Sequence, residues 1–275
     1  MTRKAFVVGW PIAHSRSPRI HRFWLQRHGI DGGYFPEAVP PEAIEAFLKG
    51  FADKGYVGGN VTLPHKEAAF RASVVTTPIA QRLEAVNTLW LDDDRLCGDN
   101  TDAYGFTANL DDRAPRWRRG SNALVIGAGG ASRAVIYALI DAGFKSVVVL
   151  NRTVARAESL ARHFGQPVSA GGLDRLEEAI SEADLIVNAT SAGLHDGEGF
   201  VIPWAAAKRS AVATDLVYVP LVTPFLQGAR EDGLEIVDGL GMLLHQAVPG
   251  FERWFGVRPS VDAELRDHIV ADLKG

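Results

Sequence analysis

Cysteine is almost absent from this chain of 275 residues, and Cys97 is its only example. A single cysteine excludes an internal disulfide framework and a metal site built from thiolates. The eight histidines are scattered, and none has the spacing of a zinc-binding motif. We therefore expect no disulfide bond and no metal cofactor.

Long apolar runs and a large excess of one charge are also missing. No apolar run has the length of a membrane-spanning helix, and the residues after Met1 lack the apolar core of a signal peptide. The net charge of −4 offers no general attraction to nucleic acid. We expect a soluble cytoplasmic protein with no nucleic-acid partner and no membrane partner.

Glycines follow an apolar run near the middle of the chain. The segment GAGGAS at 127–132 lies between the run at 123–126 and a helix-like pattern at 133–139. A buried strand that turns through glycines into a helix presents N–H groups and the positive end of the helix dipole to a phosphate. Ser132 replaces the third glycine of the dinucleotide-binding fingerprint, so context has to support the assignment. The segment predicts a nucleotide-binding unit.

The residues after the next strand, at 146–150, indicate which dinucleotide is bound. Folds that prefer NAD commonly place an acid there to bind the ribose hydroxyls. Here the strand is followed by Asn151, Arg152 and Thr153, with Arg156 one helical step further. An acid would repel a 2′-phosphate, whereas a guanidinium can hold it with two parallel hydrogen bonds. The sequence predicts NADP as the cofactor.

Strand and helix patterns alternate along most of the chain, which is typical of an α/β protein. Predicted strands lie at 5–8, 34–39, 57–61, 88–91, 95–99, 184–187, 211–214 and 235–237, the fourth and fifth forming a hairpin. Predicted helices lie at 17–28, 41–49, from 65, at 104–110, 242–255 and 261–273.

A polar segment at 112–120 separates two α/β domains. The prediction is an N-terminal substrate domain of residues 1–103, completed by residues 239–275, and a Rossmann-like NADP-binding domain of residues 104–238. The last two helices return to the first domain, and a cleft lies between the domains.

Small hydrogen-bonding residues follow the apolar strands of the first domain. They are Ser15, Ser17, Asn60, Thr62, Asn87, Thr88, Asn100, Thr101 and Asp102. Each of them alone is common at turns and helix caps. Together, at the ends of several strands, they predict a pocket for a small polyhydroxylated molecule.

Lys66 and Asp102 are the charged residues of this set. Lys66 begins a predicted helix, where the positive end of the dipole disfavours a cation, so an anionic partner or a functional reason is expected. Asp102 can supply that partner. A Lys–Asp pair beside a nicotinamide suits the removal of a hydroxyl proton as hydride leaves a secondary alcohol. The alternative is a surface ion pair of little energetic value.

Short motifs follow one another in a fixed order along nearly the whole chain. The first half carries the motifs GWP at 9–11, HSRSP at 14–18, NVTLPHK at 60–66, AVNT at 85–88 and GDNTD at 98–102. The second half carries the glycine turn, NRT at 151–153, NATSAG at 188–193, DLVY at 215–218, TPFL at 223–226, GLGML at 239–243 and FERWFG at 251–256. In this ordered set the chain resembles the shikimate dehydrogenase family. The resemblance implies an NADP-dependent alcohol dehydrogenase that interconverts 3-dehydroshikimate and shikimate.

The resemblance also implies roles for individual residues. Lys66 and Asp102 would be catalytic. The substrate would be bound by Ser15, Ser17, Asn60, Thr62, Asn87, Tyr218 and Gln246. The NADP(H) pyrophosphate would lie against Gly127, Gly129, Gly130 and Ala131, and Asn151, Arg152, Thr153 and Arg156 would select the 2′-phosphate. The nicotinamide pocket would be lined by Thr190, Leu216, Gly239 and Met242.

Glu84 stands where the family commonly has glycine. A glutamate is tolerable at this position if the backbone there is helical. His65 is expected in an exposed loop without a role.

The sequence leaves alternative functions open. A quinate/shikimate dehydrogenase or a related cyclic-acid dehydrogenase is the nearest alternative, and an NADP-sensing protein without catalysis is the alternative from another class. Both a monomer and a homodimer are compatible with the sequence.

Overall fold

The computed structural model describes residues 2–190 and 201–273, which form two compact units. Unit 1 comprises Met1–Thr101 with Leu244–Gly275, and unit 2 comprises Asp102–Leu243. The domain boundaries predicted from the sequence are after residues 103 and 238. Ser191, Ala192 and Gly193, which belong to one of the family motifs, lie outside the described residues.

Unit 1 is built on a mixed six-stranded sheet of order β2-β1-β3-β5-β6-β4. The strands are β1 (Arg3–Gly9), β2 (Gly32–Ala38), β3 (Tyr56–Val61), β4 (Val75–Thr76), β5 (Thr88–Asp92) and β6 (Arg95–Asp99). β1 pairs in parallel with both β2 and β3, and β5 and β6 form the predicted antiparallel hairpin. The centre of β1 is a continuous apolar run because both of its faces are buried.

Four helices follow the strands of this sheet: α1 (Ser17–Arg27), α2 (Ile44–Gly50), α3 (Lys66–Ala72) and α4 (Pro78–Leu83). The spacing of the apolar residues in α2 predicts one buried face, and Ile44, Phe47 and Leu48 are indeed buried. Phe47 meets Phe6 of β1 edge to face with ring centroids 5.0 Å apart, which joins the helix to the sheet.

The end of α4 corrects the expectation for Glu84. This residue is not helical: its φ of 52° and ψ of 33° place it in the left-handed region, and it closes the C-terminus of the helix. Glycine adopts that conformation without steric cost, which accounts for the glycine commonly found there in the family.

Unit 2 is an all-parallel, doubly wound α/β unit. Its strands are β7 (Asn122–Ile126), β8 (Ser146–Leu150), β9 (Val168–Gly171), β10 (Leu185–Asn188), β11 (Val212–Asp215) and β12 (Glu235–Val237). The spatial order β9-β8-β7-β10-β11-β12 is the 3-2-1-4-5-6 order of a Rossmann fold. The sheet therefore has a topological switch point between β7 and β10, at whose carboxyl edge such folds bind nucleotides.

The helices of unit 2 are α5 (Asp102–Arg113), α6 (Gly130–Asp141), α7 (Val154–Phe164), α8 (Leu176–Glu182) and α9 (Pro224–Glu231). The predicted α/β class and the Rossmann-like second domain are confirmed. Two further helices end the described chain, α10 (Leu240–Phe255) and α11 (Ala263–Leu273), and α10 passes the unit boundary at residue 243. Within the described residues, no helix is both long enough and apolar enough to cross a membrane.

Candidate functional site

A buried chain of hydrogen bonds in unit 1 joins three of its strands. The Tyr34 hydroxyl of β2 donates to Asn60 Oδ1 of β3 at 2.6 Å. Asn60 Nδ2 in turn lies 3.1 Å from the carbonyl oxygen of Asn87 and 3.3 Å from Thr88 Oγ1. The Asn60 amide is therefore engaged at both ends inside the protein, and only 5% of the residue is exposed. Its geometry sets the positions of its neighbours.

Asn87 continues this network toward the end of β6. Its Oδ1 accepts from the Thr101 backbone N–H at 2.9 Å and from Thr88 Oγ1 at 2.9 Å. The Thr101 hydroxyl lies 2.8 Å from the carbonyl oxygen of Gln246. The predicted substrate residues Asn60, Asn87 and Gln246 are thus brought into one network of unit 1, which Gln246 joins through its backbone carbonyl group.

The two serines lie where the chain enters α1: Ser15 precedes the helix, and Ser17 is its first residue. Ser15 is half-buried, Ser17 is buried, and the Ser17 N–H lies 3.4 Å from Ser15 Oγ. Between them, the Arg16 guanidinium is paired with Asp272 of α11 at 3.0 Å, and Arg19 contacts the same carboxylate at 2.7 Å. An anion at this turn would therefore be bound by hydroxyl groups, since the cation between them already has a partner.

Tyr34 is the residue of this region that the sequence reading missed. Burial raises the pKa of its hydroxyl well above the ordinary value, and the neighbouring Ser17 and Asn60 only partly oppose that shift. The hydroxyl therefore stays neutral and donates to Asn60 Oδ1. The only signal in the sequence is an aromatic residue in a predicted strand, and core packing explains such a residue equally well.

Lys66 is half-buried at the first position of α3. Its carbonyl oxygen accepts from the Val86 N–H at 3.0 Å, which ties the start of α3 to the segment that carries Asn87. The preceding residue corrects a prediction: His65 is buried, and its Nε2 lies 2.7 Å from the carbonyl oxygen of Val39. His65 anchors the start of α3. Thr62, also half-buried, lies one residue beyond β3.

Asp102 is the first residue of α5 and belongs to unit 2, directly after Thr101 of unit 1. Tyr218 is a half-buried residue of unit 2, three positions beyond the end of β11. The catalytic pairing of Asp102 with Lys66 stays a prediction, as does the role of Tyr218.

The glycine turn of unit 2 connects β7 to the 12-residue helix α6. Gly127 has a φ of 112°, and a Cβ there would lie 2.9 Å from the backbone of Ala189. Gly129 and Gly130 are exposed, and a Cβ at Gly130 would meet nothing within 4 Å. This open helix N-terminus fits a pyrophosphate group.

Ser132, the departure from the glycine fingerprint, stabilises this turn. Its hydroxyl donates to the carbonyl oxygen of Gly127 at 2.9 Å and accepts from the Gly129 N–H at 3.0 Å. The side chain is fully buried. Ser132 therefore adds two hydrogen bonds to the glycine turn, and the exposed face of that turn stays open.

The residues after β8 present two cations at the start of α7. Arg152 and Arg156 are exposed, and neither guanidinium pairs with a carboxylate among residues 2–190 and 201–273. The positive dipole end of α7 adds to this positive charge. Asn151 Nδ2 donates to the carbonyl oxygen of Thr153 at 2.9 Å, which holds the turn. Two unpaired cations at a helix N-terminus fit an anionic group such as a 2′-phosphate.

The remaining predicted cofactor residues lie after β10 and β11 or at the start of α10. Thr190 follows β10, and both its N–H and its hydroxyl donate to Asn188 Oδ1, at 3.1 and 2.7 Å. Leu216 follows β11, and a Cβ on Gly239 would lie 2.5 Å from its carbonyl oxygen. Met242 is half-buried in the first turn of α10. No group of three or more potential metal-binding His, Cys, Asp or Glu side chains occurs within the described ranges.

Family models match three successive parts of the chain. The shikimate dehydrogenase substrate binding domain matches residues 7–89, shikimate / quinate 5-dehydrogenase matches residues 113–196, and the shikimate 5′-dehydrogenase C-terminal domain matches residues 239–263.

Individual proteins match the chain along nearly its whole length. Shikimate dehydrogenase (NADP(+)) of Brucella melitensis is 57% identical over 274 residues, which cover 98% of this chain and 95% of that protein. The crystal structure of Thermus thermophilus shikimate 5-dehydrogenase in complex with NADP(H) and shikimate has 41% identity and a TM-score of 0.85, and the match covers 99% of this chain and 100% of that one.

A structure with a different printed activity is also similar. Quinate dehydrogenase from Corynebacterium glutamicum in complex with NAD has 27% identity and a TM-score of 0.89, with 98% of this chain and 99% of that one covered. The fold alone therefore does not distinguish the two activities. The family models and the identity over almost the full length agree: the chain belongs to the shikimate dehydrogenase family.

Proposed function

We propose that this protein is an NADP-dependent shikimate dehydrogenase, which reversibly reduces 3-dehydroshikimate to shikimate. The observation that carries the proposal is the buried network that joins Tyr34, Asn60, Asn87 and Gln246 in unit 1. A polyhydroxylated carboxylic acid has to be bound by hydroxyl and amide groups whose orientations are set in advance. We expect the protein to act in the cytoplasm, as a monomer or a homodimer.

The substrate carboxylate binds to Ser15 and Ser17 in this proposal. Neutral hydroxyl donors suit that task, because the nearby Arg16 is already paired with Asp272. The ring hydroxyls are bound by Thr62, Asn87, Gln246 and Tyr218. Asn60 binds them as well, and its Nδ2, 3.1 Å from the carbonyl oxygen of Asn87, also holds the backbone that carries Asn87.

Lys66 and Asp102 act on the hydroxyl that is oxidised. Bound NADP⁺ supplies a hydride acceptor at its nicotinamide. Asp102 orients the substrate hydroxyl, and the Lys66 ammonium group stabilises the negative charge that develops on the oxygen as its proton passes through this pair to solvent. In the reverse reaction the same ammonium group polarises the carbonyl oxygen.

Unit 2 binds the cofactor through three groups of residues in this proposal. The pyrophosphate lies against Gly127, Gly129, Gly130 and Ala131. The 2′-phosphate is bound by Asn151, Arg152, Thr153 and Arg156, and the nicotinamide lies near Thr190, Leu216, Gly239 and Met242. The two exposed, unpaired arginines at the start of α7 support the preference for NADP over NAD.

The absorbance of reduced nicotinamide tests this proposal directly. Purified protein is assayed with shikimate or quinate, each combined with NADP⁺ or NAD⁺. Reduction with shikimate and NADP⁺ alone is the expected result. Comparable rates with quinate or NAD⁺ would indicate the broader quinate/shikimate activity, and NADP⁺ binding without any turnover would indicate a sensing protein.

The Lys66→Ala variant tests the catalytic assignment. We expect kcat to fall at least about 100-fold, because a charge that stabilises the reacting oxygen is lost. The Kd of shikimate should change less than about threefold, since most of its donors remain. The matched control is Lys49→Ala, which removes an exposed lysine from α2. Unchanged turnover in Lys66→Ala would remove Lys66 from the mechanism.

A further inference from the structure

Asp215, the last residue of β11, is a fully buried acid. Its Oδ1 accepts from the Val217 N–H at 2.9 Å, and its Oδ2 accepts from the Thr223 hydroxyl at 2.6 Å. No cationic side chain pairs with it in the part of the chain that the structure describes. Burial raises the pKa of this carboxyl group, against the hydrogen bonds it receives. A buried carboxylate without a counter-ion is costly, so its presence needs a reason.

Asn188 connects Asp215 to the neighbouring strand. Asn188 and Asp215 are register partners at the carboxyl ends of the parallel strands β10 and β11. The Asn188 side chain interacts with the Asp215 carboxylate and favours its charged form, and its Oδ1 accepts from the N–H and hydroxyl of Thr190. Because an amide has one donor end and one acceptor end, the carboxylate determines which end faces Thr190.

Through these contacts, one carboxylate holds three segments of unit 2. It holds the loop after β10 through Asn188 and Thr190, and the loop after β11 through the Val217 N–H. It also orients Thr223, whose Oγ1 accepts from the Leu226 N–H and so caps α9. Ligands of doubly wound folds bind at this edge of the sheet.

Gly239 shows how closely the second loop is packed. A Cβ at this position would lie 2.6 Å from the carbonyl oxygen of Asp215 and 2.5 Å from that of Leu216. The backbone after β11 is therefore held in two ways. The Asp215 carboxylate accepts from the Val217 N–H, and Gly239 packs closely against the carbonyl oxygens of Asp215 and Leu216. A small displacement of this loop would move Leu216.

We propose that Asp215 is a positioning residue that, with Asn188, sets the arrangement of Thr190 and Leu216 around the nicotinamide half of the cofactor. The inference rests on the proposed function, in which Thr190 and Leu216 line that pocket. The adenosine half is bound elsewhere, at the start of α7, so the two halves of the cofactor should respond differently to loss of the carboxylate.

The experiment compares the binding of two ligands, NADP⁺ and 2′,5′-ADP, by calorimetry. 2′,5′-ADP carries the 2′-phosphate and lacks the nicotinamide. In Asp215→Asn we expect the Kd of NADP⁺ to rise about tenfold, as for loss of a hydrogen bond to a charged group, and that of 2′,5′-ADP to change less than about twofold. Asn188→Ala should show the same selectivity, and it decides the question if Asp215→Asn does not fold.

The matched control is Asp184→Asn, at the opposite edge of the same sheet. Asp184 accepts from the Ser121 and Asn122 N–H groups and pairs with Lys208 at 2.8 Å, so its loss also removes buried or half-buried hydrogen bonds. We expect lower stability in this variant with an unchanged ratio of the two Kd values.

Equal losses for both ligands, or no loss for either, would overturn the positioning role. A wild-type protein that binds both ligands but does not oxidise shikimate would refute the proposed function instead. The ratio of the Kd values for NADP⁺ and 2′,5′-ADP would still test the positioning role of Asp215, because it is measured without turnover.

Discussion

His21 is a titratable side chain enclosed in the aromatic core of unit 1. Its ring stacks on Tyr34 with centroids 3.9 Å apart and an interplanar angle of 6°, and it also meets Trp24 edge to face. The Asn60 amide is an electrostatic neighbour, but its donors are directed at Asn87 and Thr88. Within the described residues, neither ring nitrogen makes a hydrogen bond.

This environment predicts acid sensitivity. Burial lowers the pKa of His21 from 6.5 to about 3, so the unfolded chain binds a proton below pH 6.5 that the folded protein does not. The free energy of unfolding should therefore fall as the pH drops from 6.5 toward 3, by up to about 1.4 kcal/mol per pH unit from this group. Urea unfolding of wild type and His21→Phe at several pH values measures it.

The informative quantity is the difference between the two unfolding curves, because all other titrating groups are shared. The phenyl ring keeps the stacking on Tyr34 and removes the titration, although its larger volume can lower stability at every pH. A difference that stays constant between pH 6.5 and 4.5 would contradict the prediction.

Glu84 provides a second test at the scale of one residue. A side chain in the left-handed region costs about 1 kcal/mol, and glycine avoids this cost. Glu84→Gly should therefore be more stable than Glu84→Ala by about 1 kcal/mol in thermal or urea unfolding. Comparing glycine with alanine cancels any contribution of the carboxylate. A less stable glycine variant would show that chain entropy outweighs the backbone strain.

At the scale of elements, the N-terminus of α7 carries an unusual pair of cations. Basic residues in a first turn oppose the helix dipole and are normally found at the other end. Here the exposed Arg152 and Arg156 are at the start of α7, while Arg162, in its last turn, is placed favourably and lies 3.8 Å from Glu158. The unfavourable pair therefore indicates an anionic ligand.

The Arg152→Asp variant tests that reading. We expect the Kd of NADP⁺ to rise at least about 30-fold, because a bidentate phosphate contact is replaced by repulsion, while the Kd of NAD⁺ changes less than about threefold. Arg162→Asp makes the same change of charge on the same helix and should leave both Kd values nearly unchanged. Equal losses for NADP⁺ and NAD⁺ in Arg152→Asp would refute the 2′-phosphate role.

The long elements were predictable because their patterns are local. The apolar run of β1, the hairpin of β5 and β6, and the helices α10 and α11 all follow from spacing and turn residues. The two-residue strand β4 and the helix α4 were not predicted. β4 pairs with β6, 22 residues further along the chain from Val75 to Cys97, and no local pattern specifies so short a contact.

At the scale of the whole molecule, the proposed substrate residues and the proposed cofactor residues belong mostly to different compact units. Ser17, Asn60, Asn87 and Gln246 are in unit 1, whereas the glycine turn and the arginines are in unit 2. Each ligand should therefore raise the melting temperature by itself. At 100 times its Kd a ligand stabilises the folded state by about 2.7 kcal/mol, or roughly 5–10 °C for units of this size.

Thermal unfolding with shikimate or NADP⁺ measures this separation. In Arg152→Asp, the shift with NADP⁺ should fall to about a third or less at the same ligand concentration, because Kd rises at least about 30-fold. The shift with shikimate should be kept, and in Arg162→Asp both shifts should be kept. Loss of the shikimate shift in Arg152→Asp would contradict the assignment of the two ligands to different units, because the cofactor site is empty in this measurement in wild type as well.

The sequence by itself determined the α/β class, the Rossmann unit, the glycine turn and the family, because these depend on local periodicity, on residues with special backbone properties and on motifs in a fixed order. The sequence also identified Asn60, Asn87, Arg152 and Arg156 as candidate binding residues. Their catalytic and binding roles are proposals that await the assays described above.

Only the tertiary structure decided which of these residues support one another. Tyr34 donates to Asn60, His65 is buried against Val39, and Asp215 holds the loops after two neighbouring strands. These contacts bring together residues from different strands and loops, and the partners of a hydrogen bond across a sheet are set by strand order and register. The residue type alone, whether tyrosine, histidine or aspartate, does not specify them.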